Sequence, residues 1–309
     1  MRGLMPDLSR RSNDEPLLHK DYAPRETPAG KRAVVSTLYS NSFAIATAVL
    51  GHSARAHNVS ARLMLPYLYD RIEPLALCIT RAAGWEPIPV PHISPPHNGK
   101  DIHDRFKDQY TKLNIWALDK LGIETVVYLD SDTLVRRNFD ELFDLPFNFA
   151  AVPDVYGDSR GFSLTFNAGV LVLRTSSLVL DDMVQKIKTA AYPLQQAEQA
   201  FLNLYYGATA VRLPYAYNAN LAIKVRSPEM YQELKHNMRI VHYTMMKPFL
   251  SDTMPSTTIL TLEEMEVVMT NAELEHEMLY REEAGWWREA YERMMKDIGE
   301  QVSTCYSQF

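Results

Sequence analysis

Five consecutive residues, Thr125-Val126-Val127-Tyr128-Leu129, constrain this chain more than any other stretch. They are apolar or β-branched without polar alternation, the pattern of a strand buried inside a sheet. A polar triplet, Asp130-Ser131-Asp132, follows at its C-terminal end. Ala33-Val34-Val35-Ser36-Thr37-Leu38 is an earlier run of the same kind, and Arg62-Leu63-Met64-Leu65 reads as the next strand. Between these runs, Ser40 to Ala56 suits a helix, and Pro74 to Ala83 is a helix opened by proline and closed by Gly84. The prolines of Pro87 to Val90 confine that segment to a sheet edge. Residues 104 to 121 form an amphipathic pattern carrying Phe106, Tyr110, Leu113, Trp116 and Leu121, capped by Gly122. Strands that alternate with helices predict an α/β fold with a mostly parallel central sheet flanked by helices. Ligands of such sheets sit at the C-terminal ends of the strands, which singles out Asp130 and Asp132.

Further strands are expected over Asn148 to Val152, Gly169 to Leu173 and Arg239 to Tyr243, and helices over Leu178 to Ala191 and Ala197 to Tyr205. Thr261 to Ile298 reads as a charged helical tail that packs onto the body through Trp286 and Trp287. Residues 1–30 are polar and proline-bearing and read as a disordered tail. The expected division is therefore a tail over 1–30, a main domain over 31–255 and a helical segment over 256–309.

Charge and cysteine usage narrow the function classes. Thirty-two basic residues against 38 acidic ones give a net charge of −6, which argues against nucleic acid and against an anionic membrane as partners. No apolar run approaches the roughly 20 residues of a membrane span, and the first thirty residues hold no apolar signal segment. The two cysteines, Cys78 and Cys305, are far apart and read as free thiols of a reducing compartment. A cytoplasmic location is the expectation.

Three segments carry candidate chemistry. Two carboxylates one residue apart repel unless a cation lies between them, and hard oxygen ligands suit Mn²⁺ or Mg²⁺ with a substrate diphosphate. The bland alternative is a solvated turn after a strand. Phe166-Asn167-Ala168-Gly169 offers an amide and an open backbone to sugar hydroxyls, or else is turn chemistry. His242-Tyr243-Thr244-Met245-Met246-Lys247-Pro248-Phe249 places an imidazole, a frequent metal ligand, five residues before a lysine that binds phosphate as a point charge. His92, His97 and His103 share one loop region, but their spacing fits no helix face and they read as solvated loop.

Taken in order, these segments resemble glycosyltransferase family 8, the group of glycogenin and the galactinol synthases, from about Ala33 to Phe249. AVVSTLYSNSFAIATAVLG is similar to that family's first strand and uridine-binding helix, VVYLDSDTLV to its metal-binding segment, and Phe166 to Val170 to its FN[ST]G[VI] segment. QQAEQAFLN falls where the family has D-Q-x-x-L-N, and His242 to Phe249 where it has H-x-x-x-x-K-P-W. The resemblance implies a GT-A fold, a UDP-sugar donor, Mn²⁺ with Mg²⁺ as the alternative, and transfer with retention of configuration. It implies Asp130, Asp132 and His242 as metal ligands and Lys247 on the diphosphate. Thr37, Tyr39, Ser40 and Phe43 would contact uridine, with Ser131, Lys112 and Arg105 on the donor side. Asp154, Asn167 and Gly169 would border the sugar, Asn218 would also be among the donor-binding residues, and Glu198 and Gln199 join Lys247 as catalytic candidates. Glu198 replaces the family's Asp, Ala168 its Ser or Thr, and Phe249 its final Trp. The glycogenin self-glucosylation position falls near Val225, which has no hydroxyl. A separate acceptor is therefore expected (a sugar, polyol or metabolite), with UDP-glucose or UDP-galactose as donor, and a homodimer is compatible. The alternative is a weak or inactive UDP-sugar-binding protein of the same fold.

Overall fold

A computed structural model describes residues 26–251, 255 and 257–309. The elements in chain order are β1 (Arg32–Val35), α1 (Ala44–Ala56), β2 (Arg62–Leu68), α2 (Pro74–Ala82), β3 (Glu86–Val90), a 3₁₀ helix over Asp104–Leu121, β4 (Thr125–Leu129) and β5 (Thr133–Val135). There follow β6 (Phe149–Val155), β7 (Phe162–Arg174), α3 (Ser177–Ile187), α4 (Ala197–Tyr206), β8 (Val211–Arg212), β9 (Ala219–Asn220), α5 (Ala222–Arg226), α6 (Pro228–Lys235) and β10 (Ile240–His242). Helices α7 (Leu262–Leu274) and α8 (Arg281–Gln308) close the chain.

The main sheet has the order β3-β2-β1-β4-β7-β6-β8. Strands β3, β2, β1 and β4 run parallel, β7 is antiparallel to both β4 and β6, and β6 is parallel to β8. One reversed strand in seven makes the sheet mostly parallel, as the alternation of strands and helices predicts. Period-two geometry sorts its side chains onto two faces. Val34, Val127 and Leu129 pack with α1, α2, α7 and α8. Ala33, Val35, Val126 and Tyr128 pack with the 104–121 helix, α3 and α4. Both faces are covered, which is why β4 can be an uninterrupted apolar run. Chain order reverses between β1 and β4, so their C-terminal ends frame a crevice at the topological switch point.

A second, three-stranded sheet, β5-β10-β9, stands beside the crevice. Its register sets His242 opposite Thr133 on one side and Asn220 on the other. Strands of two or three residues carry no periodic signal, so the sequence reading finds β10 and misses β5 and β9. It also starts β7 too late: the strand begins at Phe162, which puts Asn167 and Gly169 inside it rather than in a turn before it. Irregular register between β6 and β7, around Pro153, re-aims the side chains there.

The two cysteines are not free thiols. Helix α8 lies across α2, bringing the Cα atoms of Cys78 and Cys305 to 5.7 Å, and the two form a disulfide. Helix α8 is held further by Trp287, which is buried against Phe249 and stacked on Tyr291. Arg136 lies 3.7 Å over the ring of Trp286. At the other end, residues 1–25 of the expected tail lie outside the described residues, whereas Thr27 is buried and bonded to Asp144, Thr125 and the Phe143 carbonyl. No helix among the described residues is long and apolar enough to cross a membrane.

Candidate active site

The end of β4 delivers Asp130 into the crevice, and the loop into β5 delivers Asp132. Their separation from His242 in sequence is closed by pairing of β10 with β5, and Tyr243 N–H also donates to the Asp132 carbonyl. One ligand atom each from Asp130, Asp132 and His242 lies within 4.8 Å of the others, the one such group among the described residues. Two carboxylates and an imidazole at this spacing are a donor set suited to a hard or borderline divalent cation.

Each acid has its own cation. Nε2 of His242 is 3.2 Å from Asp132 Oδ1, and the Lys247 ammonium bonds Asp132 Oδ2 and the Tyr243 carbonyl. Burial pushes the Asp132 carboxyl up, but Lys247 and His242 together outweigh it and hold it well below the usual carboxylate range. Lys112, on the 104–121 helix, bridges Asp130 Oδ1 at 3.1 Å and Glu198 Oε1 at 2.9 Å with its side chain 1% exposed. Desolvation works against that charge, and the two carboxylates reverse it, so the Lys112 pKa is raised. Tyr128 donates to Asp130 Oδ1 at 2.6 Å, and the Thr37 hydroxyl is 3.0 Å from the Tyr128 oxygen.

A chain of amides runs from the metal cluster to α4. His242 Nδ1 meets Asn218 Oδ1 at 3.0 Å, and Asn218 Nδ2 donates to Asn167 Oδ1 at 3.0 Å. Asn167 and Gln199 both donate to Asp154, at 3.1 and 2.9 Å. Gln199 Oε1 accepts from the Ala168 N–H at 2.9 Å. Asn203 ties α4 to the same strand by accepting from Phe166 N–H and donating to its carbonyl, both at 2.8 Å. Gly169 lies beneath the imidazole, and a Cβ there would overlap it.

The expected residues thus fall into two groups. Asp130, Asp132, His242, Lys247, Lys112, Glu198, Asp154, Asn167, Gly169, Gln199 and Asn218 converge on one site. Among them Asn167, Gln199 and Asn218 have both amide atoms engaged by protein groups, so they act as struts. The Ser131 hydroxyl donates to the Thr37 carbonyl and bonds Ser36, and so ties the end of β4 to the end of β1. Beyond β1, Thr37 is buried, Ser40 bonds Ser42, and Phe43 sits edge-on to Phe249 with centroids 5.5 Å apart. The Tyr39 hydroxyl is buried and has no hydrogen-bond partner among the described residues. The side chain of Arg105 lies outside the described residues. His92 is 3.3 Å from Asp108 and away from the metal trio. Tyr128 and Asn203 were missed as site residues; a tyrosine two places before the first Asp was the available signal for Tyr128. A cleft of about 900 Å³ between α2 and the end of α8 is lined by none of these groups.

A covered, mostly parallel sheet with paired acids and an imidazole at its switch point defines the GT-A class of glycosyltransferase. Two solved structures share the fold. One is the glycosyltransferase GlyE of Streptococcus pneumoniae, with TM-score 0.53 and 18% identity, covering 84% of this chain and 64% of that one. The other is the bifunctional glycosyltransferase WbbM, with TM-score 0.56 and 17% identity, covering 84% of this chain and 53% of that one. The chain belongs to glycosyl transferase family 8, whose model matches residues 34–253. It is 33% identical over 179 residues to inositol phosphorylceramide glucuronosyltransferase 1 of Arabidopsis thaliana, covering 58% of this chain and 30% of that protein. Glycogenin of Neurospora crassa is 26% identical over 246 residues, covering 76% of this chain and 34% of that protein. Galactinol synthase 1 of Solanum lycopersicum is 33% identical over 151 residues, covering 43% and 46%. The chain therefore spans between about a third and a half of the length of these curated relatives.

Proposed function

We propose that the protein is a UDP-sugar-dependent retaining hexosyltransferase that moves glucose or galactose to a separate sugar, polyol or metabolite acceptor. The observation that carries this reading is the meeting of Asp130, Asp132 and His242 within 4.8 Å at the switch point, with Lys112 and Lys247 beside them. The donor set fits Mn²⁺, with Mg²⁺ as the alternative. When bound there, the cation supplies Lewis-acid charge to a diphosphate leaving group.

The chain's own groups divide the remaining work. Lys247 is partly exposed and can turn its ammonium toward a diphosphate oxygen, where negative charge grows as the glycosidic bond breaks. Lys112 bridges Asp130 and Glu198 and holds both at fixed positions. Glu198, in the first turn of α4, is held by Lys112, and Asp154 is locked by Asn167, Gln199 and the Val155 N–H. Phe43 and Tyr39, beyond the end of β1, suit a pyrimidine and its ribose.

A separate acceptor is supported by the tyrosines available. The family's self-glucosylation position falls near Val225, which has no hydroxyl, and nearby Tyr231 is fully buried with its OH on Glu283. The disulfide removes the premise for a cytoplasmic location, since disulfides persist in oxidising compartments. The test is UDP release from UDP-glucose and UDP-galactose, with Mn²⁺ and with chelator, for the wild type and Asp132→Asn. Metal-dependent release from one donor, lowered on the order of 100-fold in the variant, is the expected result. Release that ignores both chelator and substitution would remove the metal site from the reaction.

A further inference from the structure

We propose that Asn58 is an N-glycosylation site and that the chain matures in an oxidising secretory compartment. Asn58-Val59-Ser60 is the one Asn-x-Ser/Thr triplet in the sequence, and its middle residue is not proline. The pairing of Cys78 with Cys305 carries the compartment half of the inference, because disulfides form and persist where this modification is made.

The triplet forms the turn from α1 into β2. Asn58 adopts φ 54° and closes the helix: its N–H donates to the Arg55 carbonyl, and the Val59 N–H donates to the Ala54 carbonyl. The Asn58 carbonyl accepts from Asn138 Nδ2 at 2.8 Å. The backbone of Asn58 is thus satisfied without its own side chain, which is exposed. A left-handed position after a helix suits asparagine by itself, but it asks nothing of residue 60. Ser60 is exposed as well, and its N–H donates to Asp140 at 3.0 and 3.2 Å. Among the described residues no group bonds the Ser60 hydroxyl or the Asn58 amide. Val59 between them packs on the core, so the turn is anchored in the middle and offers both recognised groups to solvent. The folded chain therefore has room for a glycan. The turn lies at the end of the sheet where the parallel strands β1 and β2 begin, and the crevice lies at their C-terminal ends, so a glycan on Asn58 leaves the candidate active site open.

The co-reactant is an oligosaccharide carried on a lipid diphosphate, supplied with its transferase by the secretory compartment. Asn58 Nδ2 attacks C1 of the first sugar. The N–C1 bond forms, the C1–O bond to the diphosphate breaks, the lipid diphosphate leaves with the electron pair, and Nδ2 gives up one proton to solvent.

The test uses the full chain purified from its own cells. Peptide N-glycosidase in H₂¹⁸O removes an N-linked glycan and leaves ¹⁸O-labelled aspartate in place of its asparagine, read by mass spectrometry of the tryptic peptide 56–62. The label is expected at Asn58, with a fall in the mass of the intact protein. In the same cells Ser60→Thr should keep the glycan, and Asn58→Gln and Ser60→Ala should lose it. Glutamine is a poorer fit to the left-handed position, so if Asn58→Gln does not fold, Ser60→Ala decides, since the Ser60 hydroxyl bonds nothing in the fold. An unlabelled peptide from protein whose two cysteines are paired overturns the proposal. So does an unlabelled peptide from protein with two free thiols, which would return the chain to a reducing compartment. A glycan that persists in Ser60→Ala overturns its assignment to this triplet.

Discussion

Ala197 has a backbone conformation that its side chain tolerates poorly. It is buried, it opens α4 directly before Glu198 and Gln199, and it adopts φ 46°, ψ −131°. An L-residue with positive φ there costs on the order of 1–3 kcal/mol, and strain of this kind concentrates at functional sites. The conformation lets one turn place Glu198 against Lys112 and Gln199 against Asp154 and the Ala168 N–H. Ala197→Gly relieves the strain and adds back roughly 0.5–1 kcal/mol of chain entropy. A net stabilisation of about 1 kcal/mol is expected, read as a higher urea midpoint with UDP release unchanged. A lower midpoint would show that the conformation is not strained in the protein. Nothing in the sequence marks this position, because alanine is a good helix former and here sits at a helix start for other reasons. Asp130, Asp132, His242 and Lys247 were legible as residues because their types are chemically distinctive. Asn167 was a candidate from its Asn-Ala-Gly setting, whereas the struts Asn218 and Gln199 were legible only through the family pattern.

At the scale of elements, long runs were readable and short ones were not. The buried pattern of β1 and β4 and the Pro-opened, Gly-closed α2 each have a local cause within a few residues. The small sheet β5-β10-β9 has none: its strands exist because two long connections bring them together, yet this sheet is what joins His242 to the Asp-x-Asp. The disulfide is of the same kind. Cys78 lies on α2 and Cys305 near the end of α8, 227 residues apart, and only the packing of those two helices makes them partners. Closing so long a loop constrains the unfolded chain, and a bond of this type is worth roughly 2–4 kcal/mol. Denatured, unreduced protein should show no free thiol, and two after reduction, with the urea midpoint falling on reduction. Two thiols before reduction would return the chain to the free-cysteine reading and remove the argument against a reducing compartment.

For the whole molecule, the match to the family ends at residue 253, but the packed core does not. Glu283 of α8 is fully buried, receives Lys224 through both oxygens at 2.8 Å and the Tyr231 hydroxyl at 2.8 Å, and its carbonyl accepts from Tyr243, the neighbour of His242. From Trp287 an aromatic path leads to Phe249 at 5.6 Å and on to Phe43 at 5.5 Å, on the expected uridine side. Removing residues 256–309 would leave Lys224 and the Tyr231 hydroxyl without their buried acceptor and expose the apolar surface under Met265, Met269, Trp287, Tyr291 and Met294. Each large side chain of that kind contributes about 1.5–3 kcal/mol by burial. Five of them are together comparable to the whole net stability of a domain, about 5–15 kcal/mol. A chain ending at residue 255 is therefore expected to be insoluble or to lack a cooperative unfolding transition, measured by soluble yield and by calorimetry. A truncated protein that melts cooperatively and still releases UDP in the presence of Mn²⁺ would show that α7 and α8 are an appendage. If it melts cooperatively without that release, the helices support the crevice from outside a domain that folds alone.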